Sequence, residues 1–149
     1  MRAVLIMAGF YNLLWGAWVI SFPTTLFRWL GINPINYPEF WQCLGMIVGV
    51  YGVGYLIAAE NPYRHWPIVL VGLLGKVLGP LGMGWSIWND ALPLSLAWMC
   101  VWNDLVWWVP FGLILLQVKR DSTGVAADVR RVAPNRPLPD VGRLRDQGI

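Results

Sequence analysis

Residues 65–88, HWPIVLVGLLGKVLGPLGMGWSIW, and residues 95–118, SLAWMCVWNDLVWWVPFGLILLQV, decide the fold. Each is long enough to cross a bilayer as a helix. At a rise of ~1.5 Å per residue, about 20 residues cover ~30 Å of hydrocarbon. Each also carries an ionisable group near its middle, Lys76 in the first and Asp104, next to Asn103, in the second. An unpaired charge at the bilayer centre costs about 2.5–3.5 kcal/mol on insertion scales. Opposite charges on consecutive helices therefore predict a buried pair.

Working outward, two further apolar stretches, about residues 3–22 and 40–59, match these two in length, whose apolar parts run over about 66–88 and 96–118. Apolar residues make up 57% of the chain and charged residues 13%, which leaves no helix the polar face of a soluble bundle. No stretch alternates with the period of a strand. The expected fold is all-α: an integral membrane four-helix bundle with short loops over residues 1–118, then a polar, flexible tail over 119–149. Arg2 before an apolar run has the look of a signal peptide. That run is too long, contains Asn12 and two tryptophans, and has no small-residue cleavage site before Pro23. It is read as a retained first helix.

Basic residues set the expected orientation. Arg2, Arg64, Lys119 and Arg120 share one side of a four-span protein, while the other side holds only Arg28. The positive-inside rule places both termini in the cytoplasm, with the spans in the cell's inner (cytoplasmic) membrane. The net charge of +3 resides wholly in the tail, because Arg2, Arg28, Arg64 and Lys76 balance Glu39, Glu60, Asp90 and Asp104. Two readings of the tail stand. It is a solvated cytoplasmic segment drawn to anionic headgroups, or a docking strap with residues 129–139, VRRVAPNRPLP, extended along a partner subunit.

The connections are brief, so neighbouring helices should be antiparallel and in contact. In the first connection, Thr24 or Thr25 is placed to cap a short interfacial helix that ends near Gly31. Gly45, Gly49 and Gly52 form a small-residue stripe in the second span, and Gly72, Gly75, Gly79 and Gly82 form another in the third. Such stripes let helix backbones approach closely in lipid, and tight packing is the expectation for both. Pro80 should bend the third span just past Lys76, where the bend either serves packing or opens a polar cavity.

Depth places the polar groups together. Counting from the outer ends, Lys76 lies about 18 Å down its span and Asp104 about 12 Å down the next, a difference that a lysine stem covers. Asn12 and Tyr51 fall at comparable depth. Asn12, Tyr51, Lys76, Asn103 and Asp104 are therefore the candidate binding cluster. As structure, it is a polar knot that fixes helix register. As function, it is a binding or proton-handling site, because ionisable groups in membranes mark substrate and ion pathways.

Trp29, Trp41, Trp66, Trp88 and Trp98 fall near span ends, as interfacial tryptophans do. Trp15, Trp107 and Trp108 lie deeper and are the candidate aromatic wall of a pocket. Each brings an indole N–H that needs an acceptor. The sulfur groups Cys43, Met46, Met83, Met99 and Cys100 all fall within about three turns of the outer surface. They are either apolar filler, with Cys43 and Cys100 as a possible disulfide pair, or soft ligands for copper(I).

Other chemistry is excluded by residue type. His65 is the only histidine, which rules out a bis-histidine haem or a zinc triad within one chain. Phosphate loops and nucleophile elbows are missing, so no catalytic residues are assigned. The tail has no interleaved aromatics, so nucleic acid is not an expected partner. The stretch from Phe10 to Val118 resembles the small four-helix bacterial membrane proteins of the DoxX-like group. The likeness rests on FYNLLWGAWVISFP closed by proline, GKVLGPLG in a glycine-rich third helix, and NDLVWWVPF in the fourth. That resemblance implies a membrane component beside partner subunits in quinone-linked sulfur oxidation or oxidative-stress complexes. Three roles are thus expected: a non-catalytic accessory subunit, a small-solute or proton-coupled carrier using the Lys76–Asp104 site, and a component of a redox or copper-handling system. Membrane lipids, other subunits or further copies of the chain are its expected partners.

Overall fold

The computed structural model describes residues 1–132, with side chains as far as Gly124. Four helical segments are long and apolar enough to cross a membrane: α1 (Arg2–Ser21), α3 (Pro38–Glu60), α4 (Trp66–Trp88) and a composite last span, Leu94–Gly124. The protein is a small multi-pass integral membrane protein. A short helix, α2 (Thr25–Trp29), lies in the α1–α3 connection.

Local chemistry sets the boundaries. Pro38 opens α3 and Pro67 lies in the first turn of α4, positions where a missing N–H costs nothing. Thr24 takes the cap position of α2 but makes no side-chain capping bond, contrary to expectation. Thr25 instead accepts from Arg28 at 3.3 Å. The helix ends as expected at Gly31, whose φ of 67° turns the chain left-handed. Gly31 N–H then bonds Arg28 O at 3.2 Å and Ile32 N–H bonds Phe27 O at 2.9 Å, closing the helix C-terminus. Between α3 and α4, Asn61 accepts the Arg64 N–H on its side chain at 3.0 Å and the His65 N–H on its carbonyl at 3.0 Å.

The last span is not the single α-helix expected over 96–118. It begins as a 3₁₀ turn (Leu94–Leu96), continues as α5 (Ala97–Cys100), widens into a π turn (Val101–Leu105), and resumes as α6 (Val106–Val132). Asn103 and Asp104 sit inside the π turn. Both are weak helix formers because their side chains compete for backbone groups. Here the competition falls at mid-membrane.

Packing is uneven. α1 and α3 share an extensive contact. Gly9 and Gly16 of α1 meet Gly52 and Gly45 of α3: a Cβ on Gly16 would lie 2.5 Å from Gly45 O, and one on Gly52 would lie 2.7 Å from Gly9 O. The close approach expected of the second span is real, and its partner is α1. The α4 stripe differs from expectation. Gly72 is pressed against the Tyr55 ring, but Cβ atoms on Gly75 and Gly82 would meet nothing within 4 Å. That stripe is no packing seam beyond its first residue.

The core gathers at the end of the bundle where α3 turns into α4. Leu5, Ala8, Tyr55, Ala58, Val69 and Phe111 are buried together there, with Ile114 and Val118 beside them. Tyr55 stands edge-on to Phe111 at 5.0 Å. The close approaches of α3 and α4, Gly54 to Ile68 and Tyr55 to Gly72, fall at this end. The chain divides after Val118, and a second unit begins at Lys119. Within it, α6 runs on to Val132, and Thr123 Oγ1 donates to Arg120 O at 2.8 Å. Residues 119–132, the first part of the polar tail, continue α6. Of the expected docking strap, residues 129–132 belong to α6 and 133–139 lie outside the described residues.

Candidate functional site

Lys76 projects from the middle of α4 toward the π turn of the last span. Its ammonium donates to Asn103 O at 2.6 Å and lies 3.5 Å from Asp104 Oδ1. Asn103 Nδ2 donates to the same Oδ1 at 3.0 Å. The Lys76 and Asp104 side chains are 7% and 13% exposed, so the pair is held away from solvent. The π turn makes this geometry possible. Its wider i→i+5 turn loosens the carbonyl ladder, and two of its carbonyls take side-chain donors: Asn103 O from Lys76, and Trp102 O from the Tyr11 hydroxyl at 3.3 Å.

A second bond ties the same two spans. Pro80 has no N–H, so the carbonyl four residues earlier, that of Lys76, loses its helical partner. Trp108 Nε1 donates to that carbonyl at 2.8 Å. Lys76 is thus fixed to the last span twice, once through its ammonium and once through its backbone. The indole N–H of Trp108, expected to need an acceptor, finds the one that Pro80 frees.

Beside the pair lies a cavity of about 330 Å³. The whole predicted polar cluster lines it: Asn12, Tyr51, Lys76, Asn103 and Asp104. Tyr55, Gly72, Gly75 and Gly79 line it as well. Two of its polar groups are unsatisfied, since Asn12 Oδ1 and Asn103 Oδ1 are buried without a hydrogen-bond partner. The Asn103 amide orientation is fixed by its neighbour, because a carboxylate oxygen can only accept and Nδ2 must face it. Its Oδ1 is therefore an acceptor that wants a donor. An orphaned acceptor in a buried setting costs about 1–3 kcal/mol, which a bound donor recovers.

Of the three deep tryptophans, only Trp15 lines this cavity. Trp107 packs at a tilt against Tyr11 and Phe111, with ring centroids 5.6 and 5.9 Å away, and its buried Nε1 has no acceptor. Trp108 is turned to the Lys76 backbone. The sulfur groups also divide. Met83, Met99 and Cys100 line the cavity, whereas Cys43 and Met46 are exposed on α3. Cys43 and Cys100 are both free thiols, so the disulfide alternative is not realised. No group of three or more His, Cys, Asp or Glu close enough to hold a metal occurs among the described residues. A smaller cavity of about 210 Å³ shares Trp15, Met99 and Asn103 with the first and reaches Leu26 and Leu30 of the α2 region.

Sequence reasoning missed the π turn, the Tyr11 bond to it, and Gly9 and Gly16. The glycines were detectable by their seven-residue spacing on one face of α1. The π turn left only the faint signal of adjacent Asn and Asp within an apolar run. Compared with protein-family models, curated proteins and solved structures, the chain matches none.

Proposed function

We propose that this protein is a ligand-binding membrane protein whose ligand sits at mid-depth, against Asn12, Asn103 and the Lys76–Asp104 pair. One observation carries the reading: two buried asparagine oxygens without partners line the same cavity as a buried ion pair. A polar knot that served helix register alone would satisfy its own acceptors. Four spans enclose little room, so a carrier built this way would work as an oligomer, whereas binding alone needs one chain.

Native mass spectrometry of the full chain, gently extracted from its own membrane, tests this. The expected result is a stoichiometric small-molecule adduct that Asn12→Leu removes while the protein still inserts. An adduct-free wild type, or one whose adduct is indifferent to Asn12→Leu, rejects the site. The accessory-subunit role is the second reading. It is favoured by α4, whose spanning window is the least covered of the four and would accept a partner helix. In the same spectrum that role would give a larger hetero-assembly and no small molecule.

A further inference from the structure

The cavity is polar at its depth and apolar at its mouth. Asn12 is 2% exposed and Lys76 is 5% exposed. On α3, by contrast, Leu44 and Ile47 line the same space and are 40% and 55% exposed. Across from them Gly75 and Gly79 of α4 also line it and are exposed. A Cβ on Gly75 would meet no atom within 4 Å, and one on Gly79 only Asp104 Oδ2 at 3.7 Å. These glycines leave bare backbone along one side of an opening between α3 and α4. The opening faces sideways from two membrane-spanning helices, at a depth where the surroundings are lipid.

We propose that the cavity takes a neutral long-chain amphiphile with a hydroxyl-bearing head directly from the lipid phase, through the gap between α3 and α4. The inference rests on the ligand-binding reading above and adds the ligand's class and route. Hydroxyl donors answer Asn12 Oδ1 and Asn103 Oδ1, the two unsatisfied acceptors. Lys76 and Asp104 already neutralise each other, so an ionised head would bring an uncompensated charge into a desolvated site. At ~30 Å³ per water-sized group, the cavity's volume holds on the order of ten such groups. That is a small head and the first methylenes of a chain. The rest of the chain lies in the mouth against the glycine backbone and Ile47. Moving a tail from lipid to an equally apolar wall gains little. Selectivity therefore sits in the head's hydrogen bonds, which are stronger away from water.

The test uses the full chain in phosphatidylcholine nanodiscs, titrated with 1-monooleoylglycerol, with glycerol and oleate as comparators and bound molecules counted by native mass spectrometry. One monooleoylglycerol per chain is expected, with glycerol and oleate each binding at least about tenfold more weakly. Asn12→Leu should weaken it by about tenfold by removing a head acceptor. Gly75→Leu should weaken it similarly by narrowing the mouth, and the open space at Gly75 leaves the fold intact. Monooleoylglycerol binding that is absent, or equal in wild type and both variants, overturns the proposal. An Asn12-dependent, water-soluble adduct indifferent to Gly75→Leu overturns the lateral route alone and leaves the ligand-binding reading standing. If no bound molecule depends on Asn12, both fall together.

Discussion

The α1–α3 seam and the α3–α4 gap are built from the same residue type and do opposite things. In the seam, glycine faces backbone: Gly16 against Gly45, Gly9 against Gly52. No hydrophobic force drives helices together in lipid, so close van der Waals contact must do it, and missing side chains permit that contact. In the gap, Gly75 faces space and a Cβ on Gly79 would meet only Asp104 Oδ2; below them α4 packs through Val69 and through Gly72 against the Tyr55 ring, and at mid-span it is joined to the last span by the Lys76 ammonium and the Trp108 indole. α1 is held on α3 by close backbone packing, whereas α4 is held by the core at one end and by a few directional bonds beside a cavity at mid-span. A glycine stripe thus reports that something approaches the helix closely, without saying whether it is another helix or a ligand.

Breaking the polar half should have the largest effect. Asp104→Leu leaves the Lys76 cation buried with only carbonyl partners, and removing one member of a buried pair costs about 3–5 kcal/mol. The double variant Lys76→Met, Asp104→Leu should recover most of that loss, because the uncompensated charge is gone. Reversible SDS or thermal unfolding in detergent measures both. Equal stability of the single and double variants would show that the pair does not hold the bundle. The packed half should respond next. Gly16→Val drives a methyl-bearing carbon into Gly45 O, 2.5 Å from where its Cβ falls, and should cost about 3 kcal/mol by overpacking. Gly75→Val, on the open side, should change stability by no more than about 0.5 kcal/mol. Similar losses at the two glycines would erase the contrast between seam and gap.

The contrast explains what the sequence made legible. Length and hydropathy fix the four spans, because crossing a bilayer is a demand on each segment alone. Depth arithmetic brought Lys76 to Asp104 and gathered Asn12 and Tyr51 beside them, because antiparallel neighbours share a depth scale. Helical periodicity placed Gly72, Gly75, Gly79 and Gly82 on one face, but a period does not say what faces it. The π turn was out of reach for a related reason. Its residues differ little from an α-helical run, and the carbonyls of Trp102 and Asn103 are held by Tyr11 and Lys76 from other helices. The sequence puts Trp107 and Trp108 in a pocket wall that they do not form. Adjacent residues on a helix point about 100° apart, so the two could not both face one cavity.

The Lys76 carbonyl offers the finest test of the directional half. Pro80 deprives it of a helical donor and Trp108 supplies one at 2.8 Å. Trp108→Phe keeps most of the ring and removes the N–H, leaving a part-buried acceptor unsatisfied at a cost of about 1–2 kcal/mol. Pro80→Ala restores a backbone N–H at the position that α-helical geometry pairs with this carbonyl. In the Pro80→Ala background the Trp108→Phe loss should therefore shrink, and a double-mutant cycle should return a coupling of about 1 kcal/mol. Additive losses would mean that the indole acts through its packing. Coupled losses would show that the proline and the tryptophan form one device, in which a helix is broken in one span so that the next can hold it.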